Sequence, residues 1–256
     1  MGKKQQTAKI VSQTMLADGI FDMELQAEEI AAQAKPGQFI SVYVNDKSKI
    51  LPRPISICGI DAEKGILRIV YRIAGEGTKQ MSSYQKGDSV KILGPLGNGF
   101  TMKKDRAILI GGGIGIPPML ELAKQLDGPK SIVLGYRDSE MFLKDEFEAY
   151  GDVFVSTEDG SVGTKGNVID AVKEQGVEGN VIYACGPTPM LKGIQAYAAE
   201  NEIEAQISLE ERMACGIGAC LACVCQSKEA DDHSHVCNKR VCKDGPVFDA
   251  REVVLQ

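Results

Sequence analysis

Four cysteines lie close together in the stretch ERMACGIGACLACVC, which ends at Cys225. The first three, Cys215, Cys220 and Cys223, are separated by four and then two residues, which is the plant-type spacing of [2Fe–2S] ligands. The two glycines between the first pair of thiols let the backbone wrap around inorganic sulfide and donate N–H groups to it. This pattern predicts an iron–sulfur cluster whose fourth thiolate lies outside the stretch.

The spacing alone leaves the fourth ligand open between Cys237 and Cys242, because Cys225 is only two residues from Cys223. A zinc site is the alternative, but zinc ribbons usually present two C-x2-C pairs and this region has one clear pair. The two histidines of KEADDHSHV are more simply interpreted as part of a solvated polar loop. Uncoordinated core thiols are the remaining interpretation.

Composition and charge limit the cellular compartments and the classes of partner that we expect for this protein. The 256 residues carry a net charge of −6, so nothing favours a nucleic acid or an anionic membrane as partner. No apolar run approaches the roughly 18 to 20 residues of a membrane span, and MGKKQQTAKIVSQ lacks the apolar segment of a secretory signal. We therefore expect a reducing, cytoplasmic location in which the thiols are free, catalytic or metal-bound.

Three regions with different patterns of apolar and turn residues make up the chain and must position these thiols. Residues 1–102 contain short alternating runs between turn residues, which predicts a small antiparallel β-barrel or sandwich with one short helix. Residues 103–208 alternate between continuous apolar strands and helical segments, which predicts an α/β, doubly wound parallel sheet. Residues 209–256 are rich in Cys and Gly and lack long apolar runs, so the cluster must help to hold them together.

Two loops of the α/β region are candidates for nucleotide binding. RAILIGGGIGIPPML places four glycines between a buried strand and a helix opened by prolines, where N–H groups and the helix dipole favour a phosphate. The pattern is G-x-G-x-x-P rather than G-x-G-x-x-G, and a plain strand–helix turn is the alternative. ACGPTPML also follows a strand, so Cys185 should face the same crevice.

The barrel region offers candidates for a second phosphate site. In ILPRPISICGI, Arg53 and Ser56 flank Pro54, and the prolines indicate an edge position or a kink. Arginine suits bidentate contact with phosphate oxygens. Further on, GEGT brings Thr78 as a potential N-cap of the short helix. The alternative is a surface arginine beside a capped turn.

Taken together, RPxS, GxGT, GGGxGxxP and CGPxxML resemble the ferredoxin–NAD(P) reductase family. The resemblance implies an FAD-binding barrel, residues 1–102, and an NAD-binding α/β domain, residues 103–208, followed by a [2Fe–2S] domain, residues 209–256. It implies FAD contacts from Arg53, Pro54, Ile55, Ser56, Val70, Tyr71, Arg72, Gly77 and Thr78. It implies nicotinamide-dinucleotide contacts from Gly112, Gly113, Ile114, Gly115, Cys185, Gly186 and Pro187, with Cys185 near the nicotinamide.

The C-terminal motif pair ERMACGIGAC and VCKDGPVF is similar to the electron-transfer subunits of type B dihydroorotate dehydrogenases, and the match runs over the whole chain. This resemblance implies Cys242 as the fourth ligand, with Cys225 and Cys237 as extra thiols. It implies an FMN-containing catalytic partner that oxidises dihydroorotate for pyrimidine biosynthesis, in a heterotetramer with two copies of each subunit. Electrons would pass from FMN through [2Fe–2S] and FAD to NAD⁺.

The chemistry of the three cofactors agrees with that route. Nicotinamide exchanges two electrons and an iron–sulfur cluster one, and a flavin is the usual adapter between them. An NAD(P)H–ferredoxin or sulfide oxidoreductase subunit with another large partner is the alternative enzyme. A zinc-stabilised interaction module beside a nucleotide-sensing domain is the alternative without catalysis. LGYRDSE favours NAD over NADP, because Asp138 and Glu140 would repel a 2′-phosphate that Arg137 could bind.

Overall fold

The structure is a computed structural model that describes residues 2–46, 48–230 and 235–255. His233, one of the two histidines considered as zinc ligands, lies outside the described residues. Among the described residues, no helix is both long and apolar enough to cross a membrane.

The first region is a closed antiparallel barrel of six strands in the order β1-β2-β5-β4-β3-β6, which confirms the predicted β-barrel and excludes the sandwich. The alternation in the sequence places one set of apolar side chains inside, including the fully buried Ile10, Met23 and Ile69. The elements are β1 (Lys4–Ala17), β2 (Ile20–Gln26), α1 (Glu28–Ala31), β3 (Phe39–Tyr43), β4 (Arg53–Asp61), β5 (Ile66–Arg72), α2 (Glu76–Met81) and β6 (Ser89–Leu96).

The second region is the predicted doubly wound parallel sheet. Its parallel strands lie in the order β10-β9-β8-β7-β11-β12, and the chain changes direction across the sheet between β7 and β11. Helices α3 and α4 cover one face, and α5 and α6 cover the other. The elements are β7 (Ala107–Gly112), α3 (Ile116–Gln125), β8 (Lys130–Tyr136), α4 (Lys144–Phe147), β9 (Asp152–Thr157), β10 (Thr164–Lys165), α5 (Val168–Glu174), β11 (Val181–Cys185), α6 (Thr188–Glu200) and β12 (Glu204–Ser208).

The third region is only partly separate from the second. A small sheet in the order β14-β13-β16 carries the cysteine-rich loop, but β15 pairs antiparallel with β12 and becomes the last strand of the large sheet. The strands are β13 (Val224–Ser227), β14 (Asn238–Arg240), β15 (Val247–Asp249) and β16 (Val253–Val254). The boundaries at residues 102 and 208 stay predictions.

One local prediction was wrong. Helix α2 begins at Glu76 with Gly75 as its N-cap, so Thr78 is the third helical residue and its hydroxyl accepts from the backbone N–H of Gly75. Helix α4 is a single turn, and Leu143 adopts a positive φ of 65° just before it begins.

The barrel and the sheet are joined by polar contacts as well as apolar packing. Arg68 on β5 lies between Asp22 on β2, at 2.7 Å, and Glu146 on α4, at 2.6 Å. The buried carboxylate of Glu121 on α3 accepts a hydrogen bond from Ile60 N on β4, at 2.9 Å. The strand that begins with Arg53 and the helix that follows the glycine loop are therefore held in a defined relation.

Candidate functional site

The two predicted nucleotide loops lie side by side at the carboxyl edge of the parallel sheet. Gly111 on β7 pairs with Cys185 on β11, and a 3-10 turn over Gly113–Gly115 leads directly into α3. A Cβ at Gly115 would lie 2.6 Å from Gly186 N and closer still to the Cys185 carbonyl, so the loops are in backbone contact. The expectation that both loops open on one crevice is confirmed, at the point where the strand order reverses.

A cavity of about 670 Å³ extends from these loops along the ends of β7, β8 and β9. Its far end carries Arg137, Asp138, Glu140 and Glu158. Asp138 lies 3.5 Å from the Arg137 guanidinium, and its other oxygen accepts from Glu140 N at 3.0 Å. This rim presents more carboxylates than cations, which suits the hydroxyl groups of a ribose better than a further phosphate.

The Cys185 thiol is buried beneath this crevice. Burial raises the pKa of Cys185 to about 12, and its hydrogen bond with Ser208 on β12 opposes the shift only in part. The side chain is therefore a neutral thiol at physiological pH and not a nucleophilic thiolate. It can contact a bound ring but cannot act as a base there.

Sequence reasoning gave no role to Met190, although it stands inside the motif CGPTPML. Its side chain lies against both loops, since a Cβ placed at either Gly112 or Gly186 would overlap it. Met190 follows Pro187 by three residues on the first turn of α6, so helical spacing turns it back over the loop. That spacing was the available signal.

The predicted FAD motif lies on a locally open strand edge. Residues Arg53 to Ser56 of β4 pair with β3 only, because pairing with β5 begins at Ile57. The edge position inferred from the prolines is therefore confirmed, and backbone groups on this side can meet a ligand. Pro54, Ile55 and Ser56 are half-buried along it.

Arg53 and the start of α2 form a compact cationic corner beside that edge. Gly77 lies directly under the guanidinium, because a Cβ there would overlap the Nε and Nη2 atoms of Arg53. Thr78 Oγ1 accepts from Ala74 N at 2.8 Å and from Gly75 N at 3.2 Å, which fixes the turn before the helix. An arginine held over a glycine-containing first turn fits the pyrophosphate of a dinucleotide.

The three residues predicted on β5 do not share one surface. Arg72 lines the crevice and reaches toward Gly113, and Val70 packs into the core shared with the sheet. Tyr71 points into the barrel, is 1% exposed, and donates from its hydroxyl to Gln13 Oε1 at 3.0 Å. Burial raises the pKa of Tyr71. The ring of Tyr71 therefore faces the barrel interior and not the open edge of β4.

The predicted cluster ligands meet in two pairs of thiols. Cys215 and Cys220 have their sulfurs 3.3 Å apart, and Cys242 lies close enough to the buried Cys223 for that thiol to raise the pKa of Cys242. The N–H of Gly218, in the loop between the first pair, donates to Cys242 Sγ at 3.2 Å and so links the pairs. No group of three His, Cys, Asp or Glu side chains suited to one metal ion occurs in the described part of the chain.

The thiols and their donors fit a [2Fe–2S] cluster, in which each iron takes two protein thiolates. Burial opposes ionisation of Cys215, but N–H donors from Ile217 and Cys220 lower the pKa of Cys215 to about 6. Burial raises the pKa of Cys242 to about 12. In this site, backbone N–H groups are already directed at sulfur atoms, and the side formed by Cys223 and Cys242 is buried from water.

The two extra thiols lie elsewhere. Cys225 is on β13, where burial raises the pKa of Cys225 to about 11, and Cys237 is exposed with its carbonyl accepting from Ser227 N. In the described part of the chain, no hydrogen bond joins either of them to the four paired thiols. Of the candidates for fourth ligand, the structure brings Cys242 to the other three.

Three parts of the chain match known protein families. Residues 210–254 match the iron–sulfur cluster binding domain of dihydroorotate dehydrogenase B, residues 109–196 an oxidoreductase NAD-binding domain, and residues 7–100 an oxidoreductase FAD-binding domain. The three matches assign FAD, NAD and iron–sulfur cofactors to successive parts of the chain.

Curated relatives match over the full length. The chain is 42% identical to the dihydroorotate dehydrogenase B (NAD(+)) electron transfer subunit of Fusobacterium nucleatum, over 99% of this chain and 100% of that protein. It is 43% identical to the protein of the same name from Geobacillus thermodenitrificans, over 100% of both.

Solved structures extend the comparison. A chain from the NADH-dependent reduced ferredoxin-NADP oxidoreductase, described in a study of flavin-based electron bifurcation, has 30% identity and a TM-score of 0.87, with 97% of this chain and 90% of that chain covered. The ferredoxin reductase of carbazole 1,9a-dioxygenase has 16% identity and a TM-score of 0.66, covering 79% and 67%, which shows a shared fold.

Proposed function

The chain belongs to the family of dihydroorotate dehydrogenase B electron transfer subunits, and we propose how its residues carry out that role. It is an oxidoreductase subunit with FAD, NAD and iron–sulfur domains. When bound, these groups pass electrons singly through the cluster and pairwise through the flavin to NAD⁺, the electrons coming from dihydroorotate oxidation in pyrimidine biosynthesis.

The observation that carries the proposal is that one barrel wall lies between the cluster loop and the nicotinamide crevice. The open edge of β4 begins at Arg53, and Pro54 pairs with Ser41 on β3. Gly216 of the cluster loop lies against Ser41 from outside. On the other side, Arg72 at the end of β5 lines the crevice with Gly113. A flavin held on this wall is adjacent to both electron partners.

Each predicted residue has a role in this arrangement. The pyrophosphate of FAD lies in the corner made by Arg53, Gly77 and Thr78, and the flavin ring lies along the β4 edge. The other FAD contacts come from Pro54, Ile55, Ser56, Val70, the backbone of Tyr71, and Arg72. The nicotinamide dinucleotide lies in the crevice between Gly112, Gly113, Ile114, Gly115, Cys185, Gly186 and Pro187. The cluster ligands are Cys215, Cys220, Cys223 and Cys242.

The partner is a catalytic subunit that contains FMN and oxidises dihydroorotate, and two copies of each subunit form a heterotetramer in the cytoplasm. Two exposed apolar side chains of the cluster loop support docking at this place. Ile217 is 40% and Leu221 is 74% exposed, and each lies next to or between cluster ligands. Apolar side chains exposed beside a redox site mark a contact surface, and a partner bound there is close to the cluster.

Substitution of one cluster ligand tests the route. We expect Cys220→Ser to abolish dihydroorotate-dependent reduction of NAD⁺ in the complex, while NADH reduction of an artificial dye through FAD is retained. Cys237→Ser is the matched control, since that thiol is exposed and is not one of the paired thiols. It should keep the [2Fe–2S] absorption and both activities. Equal loss of both activities in Cys220→Ser would contradict a cluster that serves only the partner.

A second candidate function is favoured by the 30% identity to a chain of the ferredoxin-NADP oxidoreductase. A subunit of that kind would serve a large partner other than a dihydroorotate-oxidising one. The large subunit that copurifies distinguishes the two functions. FMN content and dihydroorotate turnover in the isolated complex support the first, and their joint absence with ferredoxin-dependent activity supports the second.

A further inference from the structure

One buried hydroxyl on the barrel wall has no hydrogen-bond partner among the described residues. Ser41, in the middle of β3, is 1% exposed, and its Oγ has neither a donor nor an acceptor within reach. Its neighbours Ile40 and Val42 point into the barrel core, so the alternation of the strand turns Ser41 outward. Buried polar groups are nearly always paired, and one that is not points to a missing partner.

The surroundings of Ser41 are apolar side chains and the cluster loop. Phe39 and Leu96, beside it on β3 and β6, belong to the same packed core as Cys223 and Cys242. A Cβ at Gly216 would lie 2.8 Å from Ser41 Oγ and 3.4 Å from Leu96 Cδ1. Gly216 has a φ of +66° and directly follows Cys215 along the chain. The hydroxyl therefore lies under the loop that carries the first ligand.

The polar groups of this loop already serve sulfur atoms. Ile217 N and Cys220 N donate to Cys215 Sγ at 3.5 and 3.4 Å, and Gly218 N donates to Cys242 Sγ. A cluster bound here brings sulfur atoms with negative charge to the wall that carries Ser41. In the described part of the chain, Ser41 Oγ is one of four buried side-chain oxygens without a partner, and the others belong to Gln6, Gln80 and Ser156. A hydroxyl carries one proton to donate and can complete the same set of bonds to sulfur.

We propose that Ser41 donates a hydrogen bond to a sulfur of the [2Fe–2S] site, either the Cys215 thiolate or an inorganic sulfide, and thereby raises the reduction potential of the cluster. Reduction adds one electron to the cluster and increases the negative charge on sulfur, so a donor stabilises the reduced form more than the oxidised one. The hydroxyl keeps its proton, and no covalent bond forms or breaks.

The position of Ser41 gives this contact a function. Ser41 is directly opposite Pro54 in the β3–β4 ladder, so it lies between the cluster loop and the edge assigned to FAD. A residue there adjusts how readily the cluster accepts an electron from the partner before it passes the electron to FAD. Ser41 is thus a positioning residue of the electron route. The inference rests on the proposed cluster site.

The test is a redox titration of the holoprotein, monitored by the electron paramagnetic resonance signal of the reduced cluster. In Ser41→Ala we expect the midpoint potential of the cluster to fall. At the wild-type midpoint, the ratio of reduced to oxidised cluster should be about tenfold lower, which corresponds to a shift of about 59 mV for one electron. Ser41→Thr keeps the hydroxyl and should restore the potential. Ser227→Ala is the control, because that buried hydroxyl in the cluster region donates to Glu229 O at 2.7 Å.

Three results would overturn the inference, and they are distinguishable. An unchanged midpoint in Ser41→Ala, with a wild-type cluster signal, shows that the hydroxyl does not contact sulfur. A changed flavin midpoint with an unchanged cluster midpoint assigns Ser41 to FAD instead. A wild-type holoprotein without any [2Fe–2S] signal contradicts the proposed function itself and the inference with it.

Discussion

Contact between the two nucleotide loops predicts a strong and local effect of the substitution Gly115→Ala. The new Cβ would lie 2.6 Å from Gly186 N and closer to the carbonyl of Cys185, and both are backbone atoms. Backbone atoms cannot move aside as the end of a flexible side chain can. Pairing of Gly111 with Cys185 holds the two strands in register below the contact, so the loops must separate at the crevice itself.

The size of the effect follows from overpacking. Adding a methyl group to a close-packed site costs about 1–3 kcal/mol. If the strain is relieved by opening the loops, that energy is lost from NADH binding, which corresponds to about a 5- to 150-fold weaker affinity. The matched control is Gly193→Ala in α6, where the nearest atom is Ile169 Cγ1 at 3.9 Å. Alanine there should stabilise the helix by about 1 kcal/mol.

The assay is NADH-dependent reduction of a dye through FAD, together with a thermal unfolding curve. Gly115→Ala should raise KM for NADH within the range above, with FAD content unchanged, and Gly193→Ala should leave KM unchanged and raise Tm. The reasoning is refuted if the two variants have the same KM for NADH. It is also refuted if Gly115→Ala loses FAD as readily as NADH affinity, since the strain would then not be confined to the crevice.

Two further predictions concern the barrel. Arg68→Ala leaves the mostly buried Asp22 unpaired and should lower the free energy of unfolding by about 3–5 kcal/mol, whereas Glu146→Gln, at the half-exposed end of the same network, should lower it by about 1 kcal/mol. Equal losses in Tm from the two variants would contradict this difference in burial. Thr78→Ala removes the hydroxyl that accepts hydrogen bonds from the turn before α2, so it should cost about 1 kcal/mol of stability and increase FAD loss on gel filtration. Thr78→Ser should retain FAD, and similar FAD loss from both variants would exclude the hydroxyl as the cause.

The β-barrel and the sheet were predictable because their signals are local. Alternation over runs such as GILRIVYRI and continuous apolar runs such as Ala107 to Ile110 each select one side-chain environment. The glycine loop was predictable for the same reason, since four glycines between a strand and prolines leave few structural alternatives. Cys242 was reached by resemblance, because the spacing did not distinguish it from Cys237.

What could not be predicted depends on contacts between distant segments. Strand β15 is three residues long, and only its register against β12, with Ile207 opposite Phe248, makes it part of the large sheet. Tyr71 was taken as a flavin contact by motif, but the direction of its ring is decided by closure of the barrel over Gln13. Ser41 carries no signal in its own sequence, because its lack of a partner exists only once Gly216 packs against β3.

The order of the three regions along the chain differs from the order that electron transfer requires. Along the chain, the NAD domain separates the FAD and cluster domains, yet the flavin must lie between the nicotinamide and the cluster because it alone exchanges both one and two electrons. Asn98, at the end of the barrel, brings the third region back to the first by hydrogen bonds. Its backbone N–H donates to Gly245 O at 2.6 Å, and its side chain donates to the carbonyls of Lys243 and Asp244. These bonds hold the segment that follows Cys242 against the barrel, and Gly216 of the cysteine-rich loop lies against Ser41 on β3, so the paired thiols lie beside the barrel rather than beyond the sheet.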